Sequence, residues 1–452
     1  MRHCIYYLFI AGLILFAEAF HLTGQPAGSN KTFSGLRFDF GPGKPADGYI
    51  QVTAYMRYTP ERGYGFISGT PLTDVNRRGR NALLGDFCTG SKPFFFAVDL
   101  PEGNYEVSVW LGDRKGASVT TVKAESRRLM LEEIRTKKGE FRRERFNVNV
   151  RTPVINGGDT IRLKARELSY LNWDNKLTLE FNNSRPCINA LEIRKADTVI
   201  NVFLAGNSTV TDQEREPWAS WGQMIPCFFD DRVVVSNYAE SGEALKSFVA
   251  GKRLKKIMSL IRPGDYLFIE FGHNDQKPES ASYVEPFTGY KEQLKLYIRQ
   301  AQERGARPVL LTPVRRRKFD EQGKLINTHG DYPEAMRQVA RQENVPLIDL
   351  NEMTKVFYEA LGVEESKKAF VHAPAGTYPG QATALKDDSH HNKYGAYEVA
   401  RCVVEGIRMN KLELANYLVK GLPAFNPANP DPPESFHIPD SPAIIPQKPE
   451  GQ

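Results

Sequence analysis

The pattern of apolar residues changes once along the chain, near Asp197. Before this point, from Leu36 to Ile193, short segments alternate apolar and polar residues, as in FFFAVDL, YEVSVWLG and KLTLEF, and Gly, Pro, Asn and Asp lie between them. Alternation with a period of two is typical of strands with one buried face. We therefore expect an all-β sandwich of jelly-roll type over residues 33–196.

After this point the apolar runs are continuous, as in VINVFLAG, DYLFIEFG, RPVLLTPV and VPLIDL. Such runs are typical of parallel strands that are buried on both faces. Between them lie stretches with helical spacing of apolar residues, one of which ends at Gly305. The pattern predicts a three-layer α/β/α domain with a parallel sheet over residues 197–420. The proline-rich segment 421–452 predicts either an extended strap or a disordered tail.

The N-terminal sequence, MRHCIYYLFIAGLILFAEAF, has a basic start, a short apolar run and the small-residue pattern Ala17-Glu18-Ala19. This pattern is typical of a secretory signal peptide, here residues 1–19. The apolar run is short for a membrane span, and no later stretch approaches spanning length. We expect an exported protein without a membrane span, located in the periplasm or the extracellular medium.

Charge and cysteine content narrow the functional classes. A net charge of +6 over 452 residues is small, which argues against a nucleic-acid-binding protein and is compatible with an acidic substrate. Beyond the signal peptide lie Cys88, Cys187, Cys227 and Cys402, with no C-x-x-C spacing that would indicate a metal or redox site. A Cys88–Cys187 disulfide and four buried thiols are both compatible with the sequence.

Polar residues follow the predicted parallel strands at the point where each strand ends. The segments are GNST at 206–209, AESG at 239–242, GHND at 272–275 and TPVR at 312–315, and DDSHH at 387–391 precedes the last predicted helix. In an open α/β sheet, ligands bind beyond the carboxyl ends of the strands. We therefore expect these segments to converge on one site.

These segments contain what acyl transfer requires: a hydroxyl, a base, an acid that orients the base, and donors for the oxyanion. Ser208 can supply the hydroxyl and His390 the base. Asp387 lies three residues before His390 and can reach its Nδ1 atom in a turn. The backbone N–H groups of Ser208 and Gly242 and the side-chain amide of Asn274 can bind the oxyanion. Each residue taken alone could also be a helix cap, a turn residue or a metal ligand. Their expected position together at one sheet edge favours catalysis.

The order G-N-S-T, Gly, G-x-N-D and D-x-x-H resembles the SGNH, or GDSL-like, hydrolases. The resemblance implies a triad and an oxyanion hole built from Ser208, Gly242, Asn274, Asp387 and His390. Asn207, where lipase-like members have Asp, together with FIEFGHNDQKP and THGDYPEAMR, is similar to the rhamnogalacturonan acetylesterases. The β-rich first part resembles the galactose-binding-like accessory domain of bacterial members.

The resemblance implies an esterase that removes acetyl groups from pectin, most of all from rhamnogalacturonan, as polysaccharide or oligosaccharide, with no metal or other cofactor. The run that begins with Arg315 and Arg316 can bind galacturonate carboxylates, although such a run also fits a solvated face. Further expected substrate contacts are His273, Asp275 and His391. One alternative is an esterase of the same mechanism acting on acetylated xylan or another short acyl ester. Another is a non-catalytic carbohydrate-binding protein.

Overall fold

The computed structural model describes residues 35–67 and 71–442, so the predicted signal peptide lies outside the described residues. The first part of the described chain consists almost entirely of strands. These strands are β1 (Leu36–Phe40), β2 (Ile50–Val52), β3 (Tyr64–Phe66), β4 (Leu72–Asn76), β5 (Asp86–Gly90), β6 (Phe94–Asp99), β7 (Gly103–Gly112), β8 (Ser118–Ala124), β9 (Arg128–Thr136), β10 (Phe141–Val150), β11 (Val154–Ile155), β12 (Asp159–Thr160), β13 (Lys176–Arg185), β14 (Cys187–Ile188) and β15 (Ala190–Lys195). Short 3₁₀ helices occupy Ala82–Leu84, Ala165–Ser169 and Leu171–Trp173.

Two five-stranded sheets, ordered β10-β7-β15-β1-β2 and β3-β6-β13-β8-β9, form the body of this part. Aromatic rings from both sheets meet between them: Phe38 and Phe40 of β1 lie 5.3 and 5.0 Å from Phe96 of β6, centroid to centroid. Because successive side chains of a strand point to opposite faces, every second residue of β1 enters this core. The predicted β-sandwich is confirmed, and we call it the β-domain.

The second part alternates strands and helices. Its strands are β16 (Ile200–Gly206), β17 (Val233–Asn237), β18 (Tyr266–Glu270), β19 (Arg307–Leu311), β20 (Leu347–Ile348), β21 (Phe370–Ala373) and β22 (Leu385–His391). Its α-helices are α1 (Trp221–Met224), α2 (Leu245–Ala250), α3 (Arg253–Leu260), α4 (Lys291–Gln302), α5 (Tyr332–Glu343), α6 (Leu350–Glu365) and α7 (Lys393–Met409). Across the described residues, no helix combines the length and apolar character needed to cross a bilayer.

A parallel sheet ordered β17-β16-β18-β19-β20 lies at the centre of this second part. Val202 and Leu204 of β16 pack into a core with residues of α1, α6 and α7. Phe203 and Ala205 of the same strand pack into a second core with residues of α2 to α5. Burial on both faces explains the continuous apolar runs, and the predicted α/β/α fold is confirmed. The chain order reverses at β16, so the segment after this strand opens into the crevice where such sheets bind ligands.

The proline-rich C-terminal segment is an ordered strap as far as residue 442. The side-chain amide of Asn182, on β13, donates to the carbonyl oxygen of Asp440 over 2.8 Å. The ammonium of Lys123, on β8, donates to the hydroxyl of Ser441, also over 2.8 Å. Of the two predicted outcomes, the described residues adopt the strap, which runs from α7 to the β-domain.

The cysteines of the described residues are free thiols. Cys88 donates from its Sγ to the Asp74 carboxylate over 3.3 Å, and Cys187 accepts at its Sγ from the Gly112 N–H over 3.3 Å. Cys88 and Cys187 lie on the paired strands β5 and β14 without a bond between their sulfur atoms. Within the described chain, the disulfide alternative therefore does not occur.

Candidate active site

Ser208, His390 and Asp387 form a continuous hydrogen-bonded chain at the carboxyl edge of the parallel sheet. The Oγ of Ser208 lies 2.9 Å from Nε2 of His390. The Nδ1 of His390 lies 2.8 Å from Oδ2 of Asp387. Because the carboxylate accepts at Nδ1, the imidazole carries its proton there and leaves Nε2 to accept from the serine hydroxyl. Ser208 and His390 lie 182 positions apart in the sequence, and the fold brings them together at this edge.

The Asp387 carboxylate is fixed by donors besides the imidazole. Its Oδ1 accepts from the backbone N–H groups of Ser389 and His390 over 3.0 and 3.1 Å. Its Oδ2 accepts from the indole N–H of Trp218 over 3.2 Å. Trp218 carries no motif signature, so sequence analysis misses it. The carboxylate is thus held in one orientation toward the imidazole.

The turn that carries Ser208 is held by Asn207. Its Oδ1 accepts from the backbone N–H of Thr209 over 3.0 Å and lies 2.9 Å from the Thr209 hydroxyl oxygen. An amide oxygen can do what a carboxylate oxygen would do here, which accounts for Asn in place of the lipase-like Asp. Gly206 is required before this turn because an added Cβ would lie 2.6 Å from Cγ2 of Val210.

A buried carboxyl group, Glu270 at the end of β18, lies directly beneath this turn. It accepts from the Thr209 hydroxyl over 2.9 Å and from the indole N–H of Trp221 over 2.5 Å. Burial raises the pKa of Glu270 to about 7, against the lowering effect of these two donors. Sequence analysis misses this residue because a single Glu within the apolar run YLFIEF carries no motif signature.

Hydrogen bonds join the two loops that carry the remaining predicted oxyanion residues, Gly242 and Asn274. Gly242 has φ of +80°, a left-handed conformation that favours glycine. The side-chain amide of Asn274 donates to the carbonyl oxygen of Glu243 over 3.0 Å. Asp275 accepts from the backbone N–H groups of Leu245 and Gly272, each over 2.8 Å, and burial raises its pKa to about 7. Asp275 therefore joins the two loops and is itself buried.

His273 packs against a second buried histidine. The rings of His273 and His329 lie 4.5 Å apart at 77°, and burial lowers the pKa of both imidazoles well below the usual value, so both are neutral. The guanidinium of Arg316 donates to the carbonyl oxygen of His273 over 3.3 Å. Among the described residues, Arg316 has no carboxylate within 4.0 Å, and burial lowers the pKa of its guanidinium. His329 belongs to the THGDYP segment and has no predicted role.

The side chains of Arg315 and His391 have partners inside the protein. The Arg315 guanidinium pairs with Glu352 on α6 over 3.2 Å and is 6% exposed. The Nε2 of His391 lies 2.6 Å from the Tyr358 hydroxyl, and its ring packs 4.8 Å from Phe370. Adjacent residues of a strand point to opposite faces, so with His390 at Ser208, its neighbour enters the core. There burial lowers the pKa of His391 to about 3. Both side chains thus have partners within the protein, and a role for them in substrate binding stays a prediction.

Two family models match this chain, one in each of its two parts. A model of the GDSL-like lipase/acylhydrolase family matches residues 204–382. A model of the beta-agarase/YXIM esterase-like, galactose-binding domain-like family matches residues 36–148. The chain belongs to the GDSL-like lipase/acylhydrolase family and is a carboxylic ester hydrolase.

Two individual proteins are also similar to this chain. Rhamnogalacturonan acetylesterase RhgT of Bacillus subtilis is 45% identical over 222 residues, which cover 49% of this chain and 94% of that protein. The uncharacterized esterase YxiM of the same organism is 29% identical over 385 residues, covering 82% of this chain and 90% of that protein. The crystal structure of YxiM aligns at 28% identity over 84% of this chain and 99% of that chain, with a TM-score of 0.43.

Proposed function

We propose that this protein is an exported esterase that removes acetyl groups from pectic polysaccharide, most of all from rhamnogalacturonan. The observation that carries the proposal is the unbroken chain from Ser208 Oγ through His390 to Asp387, at 2.9 and 2.8 Å. The acetyl group and the pectic substrate are supported by the similarity to rhamnogalacturonan acetylesterase RhgT. An intact hydroxyl, base and acid argue against a non-catalytic carbohydrate-binding protein.

In the proposed mechanism, His390 takes the proton from Ser208 as its Oγ attacks the ester carbonyl carbon. The N–H groups of Ser208 and Gly242 and the amide of Asn274 bind the oxyanion. One amide N–H of Asn274 is used on Glu243, and an amide has a second one for this purpose. His390 then protonates the departing sugar oxygen. Water, deprotonated by His390, attacks the acetyl-enzyme and releases acetate, which restores Ser208.

Arg316 is the residue we propose for substrate recognition. Its guanidinium is partly buried, adjoins His273 and lacks a carboxylate partner among the described residues. A cation in this situation favours an anionic ligand, and a galacturonate carboxylate fits it. Acetylated xylan, the alternative substrate, has a neutral backbone and would not use this charge.

The test compares acetate release from acetylated rhamnogalacturonan and acetylated xylan by the wild type and by Ser208→Ala. We expect faster release from rhamnogalacturonan, with no release above background by the variant. Equal or faster release from xylan would overturn the pectic assignment. Activity that survives in Ser208→Ala would overturn the catalytic one.

A second test isolates the proposed carboxylate contact. Arg316→Gln should raise KM for acetylated rhamnogalacturonan by about tenfold or more, because a hydrogen bond between charged groups contributes about 1.5–3 kcal/mol. Hydrolysis of p-nitrophenyl acetate, which has no carboxylate, serves as the control and should be unchanged. Equal losses on both esters would instead indicate damage to the catalytic site.

A further inference from the structure

The β-domain reaches the loop that carries Gly242. The contact is made by Lys164 and by Arg166 in the 3₁₀ helix Ala165–Ser169. Arg166 donates from Nη2 to the Glu240 carboxylate over 2.7 Å and to the carbonyl oxygen of Ser241 over 2.8 Å. Lys164 donates from Nζ to the same carbonyl oxygen over 2.5 Å. Two cations from the β-domain therefore bind one backbone carbonyl at the edge of the active site.

The carbonyl of Ser241 and the N–H of Gly242 belong to the same peptide group. Because a trans peptide is planar, its C=O and N–H point in opposite directions, and fixing one fixes the other. The N–H of Gly242 is a proposed oxyanion donor. The two cations thus hold the opposite end of the group that would bind the oxyanion.

This peptide is the central one of a tight turn. The N–H of Glu243 donates to the carbonyl oxygen of Glu240 over 3.2 Å, which closes a four-residue turn. Gly242 occupies its third position with φ of +80°, as a type II turn requires. Type I and type II turns differ by a flip of the central peptide, which would reverse the N–H of Gly242. Cations on the Ser241 carbonyl favour one of these two orientations.

The α/β part anchors this turn at its first and last residues. The N–H of Glu240 donates to the carbonyl oxygen of Gly206 at the end of β16 over 3.2 Å, and Asn274 binds the carbonyl oxygen of Glu243. Lys164 pairs with the Glu243 carboxylate over 2.9 Å, and that carboxylate and the one of Glu240 are both nearly buried. The charges of Lys164 and Arg166 are thus held in place by the turn they contact.

We propose that Lys164 and Arg166 of the β-domain keep the Ser241–Gly242 peptide in its type II orientation, in which the N–H of Gly242 points into the oxyanion hole. They act as positioning residues, since neither touches the ester. Their charge also polarises the peptide, which strengthens its N–H as a donor. The inference rests on the proposed esterase function and assigns a catalytic contribution to a domain outside the hydrolase fold.

The experiment measures kcat and KM on p-nitrophenyl acetate for the wild type, Arg166→Ala and Lys164→Ala. We expect kcat to fall by about tenfold to a hundredfold for Arg166→Ala with KM little changed, because the loss of one oxyanion donor costs about a hundredfold or more. Arg166→Lys, which can still donate to the Ser241 carbonyl, should recover part of the loss. Arg162→Ala is the matched control, since Arg162 is an exposed arginine of the same segment.

Loss of Arg166 leaves the buried Glu240 carboxylate without this partner, so stability must be separated from catalysis. The double variant Arg166→Ala with Glu240→Gln removes the unpaired charge, and its thermal unfolding midpoint is measured beside its rate. We expect it to fold like the wild type and to keep the full loss in kcat. Recovery of the wild-type rate in this double variant would overturn the inference.

Inhibition by methylboronic acid provides the readout that a purely structural role would not change. Boronic acids form a tetrahedral adduct with a serine hydroxyl, and an oxygen of this adduct occupies the oxyanion site. The inhibition constant of methylboronic acid should therefore rise in Arg166→Ala in parallel with the loss in kcat. An inhibition constant or a kcat that is unchanged in Arg166→Ala would overturn the inference. The proposed esterase function would still stand in that case, because the wild type is active. A wild type that is inactive on every acetyl ester would instead overturn the proposed function.

Discussion

At the scale of single residues, two adjacent histidines have opposite environments. His390 bonds both Ser208 and Asp387, whereas His391 bonds Tyr358 in the core. His390→Gln should lower kcat by about 10⁴-fold or more, because it removes the only base in the triad. His391→Gln should keep kcat within a few-fold and lower the unfolding midpoint. Rates and thermal unfolding of both variants check this; comparable loss of kcat in the two would contradict it.

Glu270 predicts a second residue-level effect, on the pH dependence of stability. Its pKa is raised by burial to about 7, from a usual value of 4.5, so the unfolded state loses this proton at lower pH than the folded state. The free energy of unfolding should therefore fall as pH rises from about 4.5 to about 7, by up to about 3 kcal/mol from this group. The glutamine side chain in Glu270→Gln does not ionise, so this variant should lack the part of the decrease in unfolding free energy that comes from Glu270. Urea unfolding of both proteins at pH 4.5 and 7.5 measures the difference. An equal change in the free energy of unfolding between these pH values in both proteins would contradict the assignment.

At the scale of elements, the C-terminal strap depends on a buried hydroxyl. Ser441 accepts from Lys123 and donates to Glu180 over 2.7 Å, while its N–H donates to Glu216 over 3.0 Å. Ser441→Ala should lower the free energy of unfolding by about 1–3 kcal/mol, because it leaves buried charged groups with fewer partners. Ser435→Ala, on an exposed serine of the same strap, is the control and should have little effect. Chemical denaturation measures both, and equal effects would show that the strap does not rely on this contact.

The sequence predicts the elements of the fold well, but it does not predict contacts between distant elements. The period of apolar residues predicts both sheets, because burial on one or two faces leaves a local pattern. The motif segments predict convergence at the sheet edge, because parallel strands end on one side. The ion pair of Arg315 with Glu352 is not predicted, because Glu352 lies on α6, in a later element. Trp218, Glu270 and His329 are missed because their roles come from packing between distant segments, which leaves no local signature.

At the scale of the whole molecule, the β-domain and the α/β part share buried contacts. Arg127, in the turn between β8 and β9, pairs with Glu216 over 2.6 Å, and it donates to the carbonyl oxygen of Trp218 over 3.0 Å. Arg128 pairs with Asp212 over 3.2 Å. All of these charged groups are nearly or fully buried. The segment that they hold runs from the nucleophile turn to the tryptophan bound to Asp387.

The shared contacts predict that the two parts unfold together. Arg127→Met should lower the free energy of unfolding by about 3–5 kcal/mol, because it leaves the Glu216 carboxylate buried without its cation. Arg127→Met with Glu216→Gln should recover much of that loss. Calorimetry should show one transition in the wild type and one at lower temperature in Arg127→Met, because neither part keeps its buried charges paired without the other. Two separate transitions in the wild type would mean that the β-domain folds independently, and the buried pairs would then contribute little to the hydrolase fold.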